Sequence, residues 1–112
     1  MTAALVGTFH YDLEESRDEY GNRVTTINCH GRLVSDTASQ LKPVVKQLIP
    51  QGGRILIDLQ DVQQLDSAGL GTLVSLKASA VNAGYCRLEL VNLSPRVAEL
   101  LRLTKLTQLF SA

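Results

Sequence analysis

From Leu5 the chain alternates, with Leu5, Phe9, Tyr11 and Leu13 on one side and Thr8, His10 and Asp12 on the other. That is the period of a half-buried strand. The polar run Glu14 to Asn22, ending on Gly21-Asn22, predicts a turn that returns the chain as a hairpin. Val24 to Leu33 alternates again, Ile27, Cys29 and Leu33 against Thr26 and Asn28. Gly31 to Asp36 closes that strand and opens a helix, which Asp36 or Thr37 can cap; Thr37 with Gln40 matches a capping box. Leu41, Val44, Val45 and Leu48 then recur at helical spacing. Pro43 lacks the backbone donor a helix interior needs, so it predicts a late start or a bend. Pro50 and Gly52-Gly53 end the segment.

Ile55-Leu56-Ile57 is a short, continuously apolar run, the pattern of a strand covered on both faces. Leu59 to Ser67 reads as the loop after it. A second helix follows Ser67, with Leu70, Leu73, Val74 and Val81 facing inward. Lys77 falls on the same stripe, its stem packed and its ammonium reaching out. Gly84 is placed to end that helix. Cys86 to Val91 alternates, Cys86, Leu88 and Leu90 against Arg87 and Glu89. Ser94-Pro95 is a cap followed by proline at the first helical position, and Val97, Leu100, Leu101 and Thr104 form the stripe of a third helix. The apolar tail from Leu106 to Phe110 predicts a last extended piece against the core.

The order is hairpin, then helix, strand, helix, strand, helix. Strands joined through helices lie parallel, so the expected fold is α/β: one domain over residues 1–112, with a mixed sheet of four or five strands, an N-terminal hairpin, parallel βα units and about three main helices. In such a sheet the loops Gly31–Asp36, Leu59–Ser67 and Asn92–Ser94 all leave the C-terminal ends of parallel strands. They meet along one edge, where open α/β folds bind their partners.

Composition narrows the function. With 112 residues, 45% apolar and 20% charged, the chain can bury one core. Eleven basic residues balance eleven acidic ones. That balance points to neither nucleic acid nor a membrane surface as partner. Cys29 and Cys86 fall within apolar strand patterns and read as small buried hydrophobes; a disulfide would need their strands side by side in register. No basic-then-apolar leader begins the chain, and no apolar run reaches the roughly 18 residues of a span, so the expected location is the cytoplasm.

The chemistry gathers in Leu65-Asp66-Ser67-Ala68-Gly69-Leu70-Gly71. The plain reading is a cap: Asp66 or Ser67 accepts a free backbone N–H, and the glycines permit a tight entry. Three features add to it. A serine at a helix start lies near backbone donors and the positive end of the helix dipole, so a phosphate there leaves the helix intact. Gly69 and Gly71 offer little bulk to an approaching partner, although each costs the helix about 1 kcal/mol against alanine. Two more negative charges beside Asp66 would alter any interface formed there.

Ile57-Asp58-Leu59, Val62 and the Leu65–Gly71 element resemble the signature of the STAS domain, in its anti-sigma factor antagonist branch. Gly31-Arg32-Leu33 and Ser94-Pro95-Arg96-Val97 extend the resemblance over nearly the whole chain. It implies phosphorylation at Ser67 and a partner-binding edge built from Asp66, Ser67, Ala68, Gly69, Gly71, Gly31, Ser35, Asp36 and Ser94. It also implies a partner switch. The unphosphorylated antagonist binds an anti-sigma factor, a serine kinase of the histidine-kinase-like ATPase type, which phosphorylates the serine and is released; a PP2C-type phosphatase restores the binding form. No cofactor, metal or catalytic residue belongs to that role. Where relatives often carry an acidic residue after the Gly-x-Leu of the first loop, this chain has Val34, with Ser35 and Asp36 next. The chain also leaves little room for the final helix that many relatives carry.

Two other classes compare poorly or share the fold. For an enzyme, there is no Gly-x-Ser-x-Gly elbow and no base for Ser67. His10 and His30 sit on polar strand faces without metal-ligand spacing, and Gly52-Gly53 precedes a strand where a phosphate loop would precede a helix. The alternative is a constitutive STAS interaction module in a transport or signalling assembly, with Ser67 only a cap or a fixed contact.

Overall fold

A computed structural model describes residues 9–110. The part of the first predicted strand that includes Leu5 and Thr8 lies outside them. Strands β1 (Phe9–Arg17), β2 (Arg23–Leu33), β3 (Gly53–Leu65) and β4 (Cys86–Val91) form one sheet in the order β1-β2-β3-β4. β1 and β2 are the antiparallel hairpin, and β2–β3 and β3–β4 are parallel, as the helical crossovers require. The helices are α1 (Leu41–Leu48), α2 (Ser67–Ala83), α3 (Pro95–Leu103) and the single turn α4 (Thr107–Phe110).

β1 runs further into the polar stretch than alternation suggested, to Arg17. The turn is left to Asp18–Asn22, where the Asp18 carboxylate accepts the backbone N–H groups of Tyr20 and Asn22, each at 2.9 Å. Those bonds, the Asn22 amide first, hold its pKa below the usual carboxylate value.

β3 corrects two expectations. It is thirteen residues long, so most of the predicted loop Leu59–Ser67 is strand. Its register against β2 slips twice: Asn28 pairs with Asp58 but His30 with Asp61, and Gly31 pairs with Val62 but Arg32 with Gln64. Each slip is an extra residue in β3, a bulge that tolerates polar side chains and turns Val62 inward. Nor is the strand covered on both faces. Ile55, Ile57, Leu59 and Val62 are buried, while Leu56 and Asp58 are only half-buried.

The inward residues of β2 and β3 share one apolar cluster with Leu41, Val45, Leu73, Leu76, Leu88, Val97 and Leu101. Full burial of such a side chain is worth about 1.5–3 kcal/mol, so this cluster dominates the stability of the fold. Cys29 and Cys86 are free and buried, on strands separated by β3. Loss of solvent pushes the Cys29 thiol up to about 12, which keeps it protonated and inert.

Pro43 falls in the first turn of α1, where its missing donor has no intrahelical acceptor to lose. The late start is made by a 3₁₀ turn at Ala38–Gln40. The capping box does not form. Thr37 Oγ1 instead accepts the Val34 N–H at 3.1 Å and donates to the Arg32 carbonyl, closing the loop that precedes the helix. In α2 Leu70 and Leu73 are buried as expected, with Gly69, Thr72, Leu76 and Ala80, whereas Val81 points out, 62% exposed. The helix is apolar or small on several sides, so its pattern admits two neighbouring stripes. Lys77 sits at the border, its Nζ donating to the Leu88 carbonyl at 2.8 Å. Gly84, at φ 84°, ends α2 in the left-handed conformation predicted for it. The tail is helical, not extended. Leu106 and Phe110 are four apart, one helical turn, and Phe110 seals the core at 7% exposure.

Candidate functional site

The parallel strands β2, β3 and β4 deliver three loops to one edge of the sheet, where the ends of β2 and β3 and the helix α3 border a cleft of about 820 Å³ whose lining includes neither Ser67 nor Ser94. Val34, Ser35 and Asp36 supply one side, Gln64 and Leu65 at the end of β3 with Asp66 another, and Arg32 of β2 and the exposed side of α3 the rest. The edge predicted from topology is therefore a real concavity.

Asp66 lines this cleft and organises the loops beside it. The residue is extended (φ −108°, ψ −175°) and is the N-cap of α2, its Oδ1 accepting the Gly69 N–H at 2.8 Å. Its other oxygen, Oδ2, accepts the Ser35 N–H at 3.1 Å. One carboxylate thus caps the helix and ties down the first loop. The Gly69 N–H, with that of Ser35, holds the Asp66 pKa below the usual carboxylate value. It is a fixed negative charge at neutral pH.

Because Asp66 is the cap, Ser67 is not. Ser67 is the first residue of α2 and is exposed, as is Ala68. Gly71 is exposed too, with nothing within 4 Å of the place a Cβ would occupy. Gly69 behaves differently and corrects its assignment to the partner-facing surface. It is buried, and a Cβ there would lie 2.0 Å from the Leu33 carbonyl oxygen. This glycine lets α2 lie against the end of β2, and no partner reaches it.

Gly31 also departs from the predicted edge. It sits inside β2, paired to Phe9 and Val62, at φ 98° beside the second register slip. Ser94 is spent as the α3 cap, its Oγ accepting the Val97 N–H at 3.3 Å. The same hydroxyl donates to the Val62 carbonyl at 3.5 Å, which fixes the start of α3 to β3. Asn92 holds that loop from the other side, its amide donating to Asp58 Oδ2 at 2.6 Å.

The sequence reading missed the cleft's far wall. Arg96, Glu99, Leu100 and Leu103 line it from α3, and Arg32 and Gln64, hydrogen-bonded to each other, line it from the strands. Arg96, Leu100 and Leu103 recur at i, i+4 and i+7, so a second stripe beside the core stripe of α3 was there to be found. Among the described residues no three of His, Cys, Asp and Glu gather to hold a metal ion.

A family model described as Mlab, STAS domain matches residues 17–111. The chain belongs to this STAS family. Several solved structures share the fold of this STAS domain. An anti-sigma factor antagonist from Mycobacterium paratuberculosis aligns with a TM-score of 0.72 at 21% identity, over 93% of this chain and 84% of that one. The anti-sigma factor antagonist SpoIIAA in its unphosphorylated form gives 0.68 at 22% identity, over 88% and 84%. The Bacillus cell fate determinant SpoIIAA in its phosphorylated form gives 0.64 at 22% identity, over 88% and 86%. At these identities the likeness is one of fold. No curated protein matches the chain.

Proposed function

We propose that this STAS domain is an anti-sigma factor antagonist that works by phosphorylation-dependent partner switching. Unphosphorylated, it binds an anti-sigma factor, a serine kinase of the histidine-kinase-like ATPase type, through the edge bearing Ser35, Asp36, Asp66, Ser67, Ala68 and Gly71. The kinase transfers a phosphoryl group to the Ser67 hydroxyl and the complex separates. A PP2C-type phosphatase hydrolyses the phosphoserine and restores the binding form. On this reading the chain is the substrate of two cytoplasmic enzymes and has no catalytic activity of its own.

The observation that carries the proposal is the exposed residue Ser67 beside an Asp66 carboxylate held by two backbone donors. Asp66 cannot swing away or take a proton without giving up the α2 cap and the first loop. A phosphate on the next residue therefore adds about two negative charges to a fixed one. The helix start tolerates that charge, whereas a complementary interface does not. The fold likeness to SpoIIAA in both its phosphorylated and unphosphorylated forms supports the same reading.

Intact mass and site mapping on protein isolated from its own cell, with and without a PP2C-type phosphatase, tests the proposal. A phosphatase-sensitive phosphate on Ser67 supports it; reproducible absence of phosphate across growth conditions overturns it. Membership of the STAS family is also compatible with one second reading. In it the same edge is a constitutive contact within a transport or signalling assembly. Ser67 would then be a fixed contact, since the cap belongs to Asp66.

A further inference from the structure

The far edge of the sheet poses a separate problem. Among the described residues β1 pairs with β2 alone, so its other side presents an unpaired row of backbone donors and acceptors. Every residue of β1 after Phe9 is exposed. Tyr11 and Leu13 lie opposite the buried Cys29 and Ile27 and so share the inward face, yet they are 37% and 50% exposed. The outward face carries His10, stacked on His30 with ring centroids 4.6 Å apart, then Asp12 and Glu14.

We infer that β1 pairs with β1 of a second copy of this chain, antiparallel and centred on Tyr11. The register follows from symmetry and charge. Two identical edge strands meet about a two-fold axis perpendicular to the sheet, which sets one residue against itself and pairs same-face residues on either side. Centres on Asp12, Glu14 or Glu15 set a carboxylate against its own copy, and a centre on Leu13 sets Asp12 against Glu14. A centre on Ser16 keeps only Glu15 to Arg17 of β1 in the ladder and brings no apolar pair together, and a centre on His10 carries Leu13 past Phe9. Like charges directly opposite destabilise a ladder.

The centre on Tyr11 is free of these conflicts. Leu13 of one copy lies against Phe9 of the other on the inward face, and Asp12 lies against His10 on the outward face. The acids that would keep β1 from pairing in other registers thus select this one. A continuous sheet then runs through both copies, with the inward tyrosines in contact on the axis. The Ser67 edge belongs to other strand ends and stays open in the pair.

Sedimentation equilibrium of the full chain from micromolar to millimolar concentration, combined with register-specific cross-linking, tests this. The parent is expected to show a reversible monomer–dimer equilibrium. Tyr11→Lys brings two cations together on the axis and weakens it about tenfold or more. Asp12→Lys weakens it as well, and adding His10→Glu to Asp12→Lys restores it. Under mild oxidation Tyr11→Cys forms a covalent dimer readily, because the two sulfurs meet on the axis, whereas Leu13→Cys does so slowly. These side chains are exposed, so the variants keep the parent's far-ultraviolet spectrum. A parent that stays monomeric throughout, or a Leu13→Cys chain that cross-links as fast as Tyr11→Cys, overturns the inference.

Discussion

The Asp66 carboxylate accepts the backbone N–H of Ser35 at 3.1 Å, joining the loop after β2 to the start of α2. Its second oxygen is on Gly69 N–H at 2.8 Å, so helix cap and loop anchor are one group. Asp66→Ala removes both at once. It should lower the unfolding midpoint and speed amide exchange at Ser35 and Gly69 together, while the amides of Ile55 and Ile57 in the buried sheet keep their relative protection. Amide exchange by NMR reads this directly. Faster exchange at Gly69 with Ser35 unchanged would show that the two bonds are independent.

The same carboxylate makes stability depend on pH. Its folded pKa lies below the ordinary value because the Gly69 and Ser35 N–H groups favour the anion. The stabilisation is therefore fully present above the unfolded carboxylate value, about 3.9, and is lost as pH falls through the depressed folded value. Denaturant midpoints measured from neutral pH downwards should hold level and then fall in that acid window. Asp66→Asn should flatten part of the fall. Asp18, whose pKa is depressed by the Asn22 and Tyr20 amides, supplies another part. An unchanged acid limb in Asp66→Asn would mean that the cap bond contributes nothing to it.

Gly69 and Gly71 are two residues apart, and alanine should act oppositely at each. At Gly69 the new methyl meets the Leu33 carbonyl at 2.0 Å, backbone that cannot move aside without shifting β2 against α2. Gly69→Ala should cost about 1–3 kcal/mol or more, as overpacking does. At Gly71 nothing lies within 4 Å, so the substitution should stabilise the helix by up to about 1 kcal/mol. Urea titrations of the two variants decide it. If both destabilise alike, Gly71 has a structural duty of its own. If Gly71→Ala is more stable but binds its partner poorly, the glycine serves the approach of that partner.

Where local chemistry decides, the chain was readable. Ser94-Pro95 starts α3 and Gly84 ends α2, because a cap hydroxyl and a left-handed glycine act within a few residues. The hairpin and the strand–helix alternation followed from periodicity for the same reason. What was hidden is non-local. Gln60, Asp61, Gln63 and Gln64 read as loop because the two bulges that keep them in β3 exist only against β2. Thr37 lost its capping role to the loop before it, where the Val34 amide and Arg32 carbonyl needed a partner. Gly69 looked like an open approach because its neighbour, the Leu33 carbonyl, is far away in sequence. The candidate edge was legible as topology, and its cleft was not, since one side of it is made by residues of α3 that lie next to the core stripe.

Ser67 is where the proposed switch stands or falls. Its side chain is exposed and the cap is made by Asp66, so Ser67→Ala and Ser67→Asp should both unfold within about 0.5 kcal/mol of the parent. Their binding should separate sharply. Ser67→Ala keeps the neutral surface and should hold the kinase partner constitutively. Ser67→Asp adds a charge beside the fixed Asp66 anion and should weaken the complex, with a deficit that shrinks as salt rises and screens the repulsion. Titration of each variant against the candidate kinase, at low and high ionic strength, measures both effects. Equal affinities for the two variants would remove the electrostatic basis of the switch and leave Ser67 a fixed contact in a constitutive assembly.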